Sequence, residues 1–254
     1  LRVNGVIDFL ILTMNRKGIV ARCFRSLAPT LARADVRWRV LDNGSTDGTA
    51  EWLLKVAQRY PDKVLVNLQA VNTGVAGGRD ILLRESDADI MVILDSDIEA
   101  HSPGWLDRLL TPLNQPEIWV AGPGGHWLRR DWLYYETAPK DWTGPVDVLS
   151  GYCQAWKRSA IEAGVKMDLA YSPRWHEDSD CSLQALSLGG LVWHCGDIGL
   201  HHMFSHTGDD GSSYQKQMYL ISKWRGKGLT RYERNGDYGN ENSKQARAHT
   251  QRQN

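Results

Sequence analysis

The run Ile90-Met91-Val92-Ile93-Leu94, closed by Asp95-Ser96-Asp97, constrains the chain more than any other stretch. Consecutive apolar residues bounded by polar ones predict a strand buried on both faces. If the extended geometry persists through its last residues, Asp95 and Asp97 project to the same side of the backbone at the strand's carboxyl end. Ligands of open α/β sheets collect there. Two hard oxygen ligands fit Mg²⁺ or Mn²⁺ and leave coordination positions for water and a diphosphate. An isolated Asp-x-Asp equally fits a strand end followed by an Asx turn, so the rest of the chain has to decide.

Upstream, Val6 to Thr13 is an apolar strand, and Gly18 to Ala34 has Ile19, Val20, Cys23, Leu27 and Leu31 near helical spacing. Arg37 to Leu41 predicts a second strand ending at Asp42. The turn-rich stretch Asp42 to Thr49, DNGSTDGT, follows, with Asp47 placed to cap a helix over Thr49 to Tyr60. Val64 to Leu68 is a third strand, and NTGVAGGRD, Asn72 to Asp80, runs into a helix ending near Glu85. Strand and helix alternate three times, which predicts a mostly parallel sheet flanked by helices with right-handed crossovers.

After Asp97 the rhythm changes. Trp105 to Leu110 predicts a short helix and Trp119 to Gly122 a strand, with a tight turn at Gly122-Pro123-Gly124-Gly125. His126 to Trp142 has no clear period and reads as a loop carrying exposed aromatics. Trp127, Trp132 and Trp142 in it either stack on a sugar or pack. Val146 to Trp156 predicts strands interrupted at Gly151, and Ser159 begins a short helix. Glu177, Asp178 and Asp180 precede a helical pattern through Leu183, Leu186 and Leu188 that ends at Gly189. Asp180 is the expected N-cap of that helix. The chain is therefore one α/β domain over 1–232, with a nucleotide-type half to Asp97 and a smaller acceptor-type half over 98–232. A polar tail at 233–254 is expected to be disordered.

Several function classes drop out. At 254 residues with formal net charge zero and pI near 7.2, nucleic acid is not the expected main partner. From Lys223 onward eight Lys or Arg stand against three Asp or Glu, which suits contact with an anionic surface or a solvated end. Cys23, Cys153, Cys181 and Cys195 are scattered, which indicates neither a zinc knuckle nor a disulfide framework and fits a cytoplasmic setting, free or peripheral to a membrane. No stretch reaches the roughly 18 apolar residues of a span, and the chain opens almost directly into a strand rather than a signal peptide. The glycines at 74, 77 and 78 do not make the dinucleotide fingerprint, no phosphate loop of the G-x-x-x-x-G-K-[ST] type occurs, and His176-Glu177 does not continue to a zinc-protease motif because position 180 is Asp.

Taken in order, Thr13-x-Asn15, DNGSTDGT, N-x-G-x-x-x-x-R at Asn72 to Arg79, Leu94-Asp95-Ser96-Asp97, Ser150-Gly151, Glu177-Asp178 and His201 resemble the family 2 glycosyltransferases of the GT-A fold. The resemblance covers Val6 to His206, about four-fifths of the chain. Asp80 stands where that family most often has Asn.

The resemblance implies that Thr13, Asn15, Asp42, Asn72, Arg79, Asp95, Ser96 and Gly151 line a nucleotide-sugar pocket, with Asp42 on the base or ribose and Arg79 near the diphosphate or base. It implies that Asp97, with Asp95 and a late histidine, holds Mn²⁺ or Mg²⁺, and that Glu177-Asp178 supplies the acceptor-side base, Asp178 foremost. His201 and His202 are adjacent, so in an extended segment only one faces the site; His201 is the expected one. His194 and His206 are expected to be structural or on the surface.

The implied activity is metal-dependent, inverting transfer of a sugar from a UDP, dTDP or GDP donor to a hydroxyl acceptor, such as a glycan or lipid-linked one. A retaining transferase of the same fold and a catalytically silent nucleotide-sugar-binding protein are the alternatives.

Overall fold

The computed structural model describes residues 5–203 and 211–235. The first half runs β1 (Ile7–Thr13), α1 (Lys17–Leu27), β2 (Val36–Asp42), α2 (Thr49–Arg59), β3 (Val64–Leu68), α3 (Gly74–Glu85) and β4 (Ile90–Asp95). Then come β5 (Ile98–Ala100), α4 (Trp105–Leu110), β6 (Ile118–Gly122), β7 (Gly125–Leu128), β8 (Tyr135–Thr137), β9 (Gly144–Val146), β10 (Val148–Leu149) and β11 (Cys153–Lys157). The remainder is α5 (Arg158–Glu162), α6 (Glu177–Ser187), β12 (Leu191–His194), β13 (Leu200–His202), α7 (Ser213–Trp224) and α8 (Arg231–Asn235). Position 206 and the tail from residue 236 lie outside the described residues, whereas 233–235 belong to α8.

Eight strands form the central sheet in the order β3-β2-β1-β4-β11-β6-β12-β9. β1 to β4 are mutually parallel, as the alternation predicts, while β11 runs antiparallel to both β4 and β6. The continuous apolar character of β1 and β4 has a direct cause. Phe9 and Ile11 face a core made with α1, α2 and α4, while Leu10, Met91 and Ile93 face a second core made with α3, α5 and α6. A sheet covered on both faces leaves no solvated side for polar residues. After β1 the chain builds outward to β2 and β3, then returns to place β4 on β1's other flank, and this reversal opens a crevice at the carboxyl ends of the strands. Register puts Thr13 opposite Asp42 and Leu12 opposite Asp95, so three of the expected site residues end on one rim.

Local chemistry sets the element limits. In α1, Val20, Cys23, Phe24 and Leu27 are buried at helical spacing. The helix stops well short of Ala34, because Pro29 cannot continue the α-helical ladder and the chain tightens into a 3₁₀ turn over Ala28–Ala32. Asp47 works at both neighbouring helix starts, accepting from the Thr49 N–H at 3.1 Å and the Lys17 N–H at 3.0 Å.

The region His126 to Trp142 corrects the expected loop. β7 and β8 pair as a hairpin, with Leu128 opposite Tyr135, and a third short strand, β10, joins β7. Trp127 and Trp132 are buried rather than displayed. Trp142 packs on Trp127 and lies flat against His194, so His194 is structural as expected. Asp180 is not the cap of α6 either. It is fully buried and accepts from Tyr171 Oη, Gln184 Nε2, Lys223 Nζ and Trp224 Nε1, all within 3.1 Å. Among the described residues no helix is long and apolar enough to cross a membrane.

Candidate active site

At the end of β4 the backbone does not stay extended. Ser96 and Asp97 form a turn into β5, with Ser96 partly exposed between the two aspartates. β13 pairs antiparallel with β5 and sets His202 opposite Ile98, beside Asp97. His202 Nε2 lies 3.1 Å from Asp97 Oδ1 and 4.0 Å from Asp95 Oδ2. Tyr152 stacks on the imidazole at 4.9 Å and holds its plane. One ligand atom from each of Asp95, Asp97 and His202 fits within 4.8 Å of the others.

This reverses the expectation for the late histidine. His201 is exposed, pairs with Glu99 in register and leans on His101. Adjacent strand residues face opposite ways, and the β5 register gives the inward position to His202. Two carboxylate oxygens and one imidazole nitrogen form a donor set that suits Mn²⁺ and accepts Mg²⁺, with room for further oxygen ligands.

The rim formed by β1 and β2 carries two buried oxygens with no hydrogen-bond partner, Thr13 Oγ1 and Asp42 Oδ2. Asp42 Oδ1 is occupied by the Ser45 N–H at 2.9 Å, so Oδ2 alone is left to a ligand. The loops around them are tied together. Asn15, at φ 57, accepts from the Thr46 N–H at 2.8 Å. Asn72 Oδ1 accepts from Asn43 Nδ2 and from the Gly74 N–H, each at 2.8 Å. Asn15 and Asn72 therefore fix loop shape around the pocket, together with Asn43, which the motif reading did not single out.

Arg79 joins the two halves. Its guanidinium is almost wholly buried and donates to Asp95 Oδ1 at 2.7 Å, Glu177 Oε1 at 2.9 Å and the Gly151 carbonyl at 2.9 Å. Gly151 has to be glycine, because a Cβ there would stand 2.6 Å from Arg79 Nη1 and 3.1 Å from Asp178 Oδ2. The Gly151 N–H in turn donates to Asp178 Oδ2 at 2.7 Å. Asp80, one residue on, makes a surface pair with Arg84.

Electrostatics separate the carboxylates. Burial, reinforced by the Asp178 charge and opposed by Arg79, pushes the Glu177 carboxyl up to about 7. Its second oxygen has no hydrogen-bond partner. Burial also raises Asp95, with Arg79 pulling it back and Asp97 pushing the same way as burial. Asp178 is only half-buried and accepts two backbone N–H groups, those of Gly151 and Ser179.

Three rings beside Asp178 were not legible as a group. Tyr135 Oη meets His176 Nδ1 at 3.0 Å, the two rings stack, and His126 packs edge-on against Tyr135. His126 Nε2 lies 2.8 Å from Ser150 Oγ. Burial lowers both histidines although Asp178 pulls them up, so both are held neutral near pH 7. His126 and Tyr135 meet through the β7–β8 hairpin, and His176 reaches them from the start of α6, so sequence spacing does not group the three. Trp175 and His176 enter α6 at φ 82 and 67, a conformation that non-glycine residues adopt rarely, so the surrounding packing fixes the entry to Glu177 and Asp178.

Comparison with known proteins identifies the family and the fold. Curated protein sequences give no match, but a family model, glycosyl transferase family 2, matches residues 8–163, more than half the chain. Among solved structures, GalNAc-T7 with UDP, GalNAc and Mn²⁺ superposes with a TM-score of 0.68 at 14% identity over 85% of this chain and 48% of that one. The mannosyltransferase PcManGT from Pyrobaculum calidifontis, in complex with GDP-Man and Mn²⁺, gives 0.61 at 18% identity over 78% and 56%. S. aureus TarS gives 0.63 at 14% identity over 86% and 39%. The chain thus spans less than two thirds of the length of each. On the family match and the shared sheet, this chain is a member of glycosyl transferase family 2 with the GT-A fold.

Proposed function

We propose that the chain is a metal-dependent, inverting glycosyltransferase that moves a sugar from a nucleoside diphosphate to a hydroxyl acceptor. The observation that carries this reading is the convergence on one rim of a carboxylate–carboxylate–histidine cluster, two unpartnered pocket oxygens and, across Arg79, the acidic start of α6. Asp42 Oδ2 is an acceptor, so it selects a base that offers a ring N–H; uracil, thymine and guanine do, adenine and cytosine do not. Mn²⁺ or Mg²⁺ held by Asp95, Asp97 and His202 would neutralise the charge that builds on the leaving diphosphate.

The chain's own groups do the rest. Arg79 donates to both Asp95 and Glu177 and so ties the metal side to the acceptor side. Asp178 takes the proton from the acceptor hydroxyl while that oxygen bonds to the anomeric carbon and the bond to the diphosphate breaks. Two backbone N–H bonds hold the Asp178 carboxylate in one orientation, so position is its contribution. His126, Tyr135 and His176 form a neutral polar and aromatic wall next to it, suited to the face of an acceptor sugar.

Asp178→Asn preserves shape but cannot accept the proton. Transfer is expected to fall by about 10² to 10⁴-fold, the range for general-base catalysis, with donor affinity nearly unchanged. Steady-state kinetics with parallel donor binding reads both; near wild-type transfer in Asp178→Asn would remove Asp178 from the chemistry.

A further inference from the structure

Beyond the crevice, one further cleft has an unusual lining. Arg129, Arg130, Asp131, Arg225 and Tyr232 line a shallow, open depression of about 520 Å³ on the acceptor half. In a chain of formal net charge zero, three guanidiniums are gathered there. Among the described residues none of the three has an ion-pair partner. The neighbouring acids are hydrogen-bonded to neutral donors rather than to these arginines. Asp131 Oδ1 accepts from the Leu133 N–H, Glu136 from Tyr232 Oη, and Glu233 from the N–H groups of Gly226 and Leu229.

The arginines also stand on a fixed base. Trp132 is buried at φ 63, its N–H donates to the Arg129 carbonyl at 2.8 Å, and Arg129 N–H donates to Tyr134 at 3.0 Å. Gln217 of α7 donates to the Leu133 carbonyl at 2.7 Å. Trp132 and Trp224 share one apolar cluster, and Arg225 directly follows Trp224. Both walls of the cleft are therefore mounted on the same packed core, so the backbone that carries the three exposed arginines has little ordering left to lose on binding.

We propose that Arg129, Arg130 and Arg225 form a phosphate-binding subsite that holds a phosphate-bearing part of the acceptor. The planar, always-charged guanidinium fork matches phosphate oxygens bidentately, and three forks around one cleft suit a phosphomonoester or phosphodiester better than a single carboxylate. The link to the acceptor is structural. Arg129 follows Leu128, the residue paired with Tyr135, and Tyr135 touches His176 at the entrance to α6. The hairpin that forms the wall beside Asp178 thus continues into the arginine cleft. The assignment of the phosphate to the acceptor rests on the transferase reading above.

The test is a titration of the full chain with inorganic phosphate in EDTA, following arginine side-chain resonances by NMR. Phosphate is expected to shift Arg129, Arg130 and Arg225 together. The triple variant Arg129→Gln/Arg130→Gln/Arg225→Gln is expected to bind at least about tenfold more weakly, since a charge-assisted hydrogen bond contributes about that factor. Its unfolding midpoint checks that the fold is intact. Sedimentation with phosphatidylglycerol against phosphatidylcholine vesicles separates the sources: binding to the anionic vesicles, lost in the variant, assigns the phosphate to a lipid, and no binding assigns it to a soluble acceptor. Equal phosphate affinity in wild type and variant, or no shift of the three arginines, would overturn the subsite. Nucleotide binding with Mn²⁺ in the same samples reports on the transferase reading separately, because a chain that binds phosphate at the arginines but no nucleotide sugar retains the subsite and loses the reading.

Discussion

Glu177 and Asp178 are adjacent in sequence yet sit in opposite environments. Glu177 is enclosed against Arg79 with one oxygen unpartnered, while Asp178 reaches the open side and holds two backbone N–H groups. The sign of the resulting pH dependence follows from the direction of the shift. The Glu177 carboxyl rises from the ordinary 4.5 to about 7, so between those values the folded protein holds a proton that the unfolded chain has released. Stability from this group is complete below about pH 4.5 and is lost as pH rises through about 7, by an amount on the order of 1–3 kcal/mol. Metal-free urea unfolding at a series of pH values measures it. Glu177→Gln, neutral throughout, is expected to lack this fall; an identical slope in the variant would show that Glu177 is ionised in the fold. At this scale the sequence supplied the acidic pair but not the division of labour, because the burial that raises the Glu177 carboxyl, against the pull of Arg79 98 positions away in the chain, arises only in the fold. The parity of His201 and His202 was hidden for a related reason. Alternation says that one of them faces inward, and only the pairing with β5 says which.

Elements with long apolar runs were legible and short ones were not. β1, β4 and the helices between them are recognisable because both faces of the strands are covered, which leaves an unbroken hydrophobic signature. β7 and β8, four and three residues long, are too short for a period; Trp127 is buried against Trp142 in the second core, and Trp132 between the strands is buried with Leu220 and Trp224 of α7. Asp180 shows how the same residue type misleads at this scale. An Asp in the first turn of a helix reads as a cap, yet here it turns inward and anchors α7 through Lys223 and Trp224 while binding Tyr171 and Gln184. Removing a buried charge leaves its partners desolvated and unmatched, at a cost of roughly 3–5 kcal/mol. Asp180→Ala is therefore expected to lower the unfolding midpoint sharply, and a calorimetric loss below about 1 kcal/mol would mean that α7 is held mainly by its apolar face.

Across the whole molecule the site exists because the chain crosses itself at one place. The strand order reverses between β1 and β4 and opens the crevice, and Arg79 of α3 ties that crevice to α6 through Asp95, Gly151 and Glu177. Short motifs in the right order were enough to indicate this architecture, since all but His201 mark a strand end or helix start on the same rim. The cleft at the hairpin tip has no such signature, because Arg129 and Arg225 line it together only through the cluster that holds Trp132 and Trp224. The central claim is that the rim binds a nucleotide sugar through a divalent cation on Asp95, Asp97 and His202. Thermal unfolding with UDP-, GDP- and dTDP-sugars, in Mn²⁺ and in EDTA, tests it most directly. A donor at about 100 times its dissociation constant adds about 2.7 kcal/mol, a rise of roughly 5–10 °C for a domain of this size. That rise is predicted in Mn²⁺ only, absent in Asp97→Ala, reduced in His202→Ala and retained in His201→Ala. No stabilisation of the wild type by any of the three donors in Mn²⁺, or equal stabilisation in EDTA, would contradict the account.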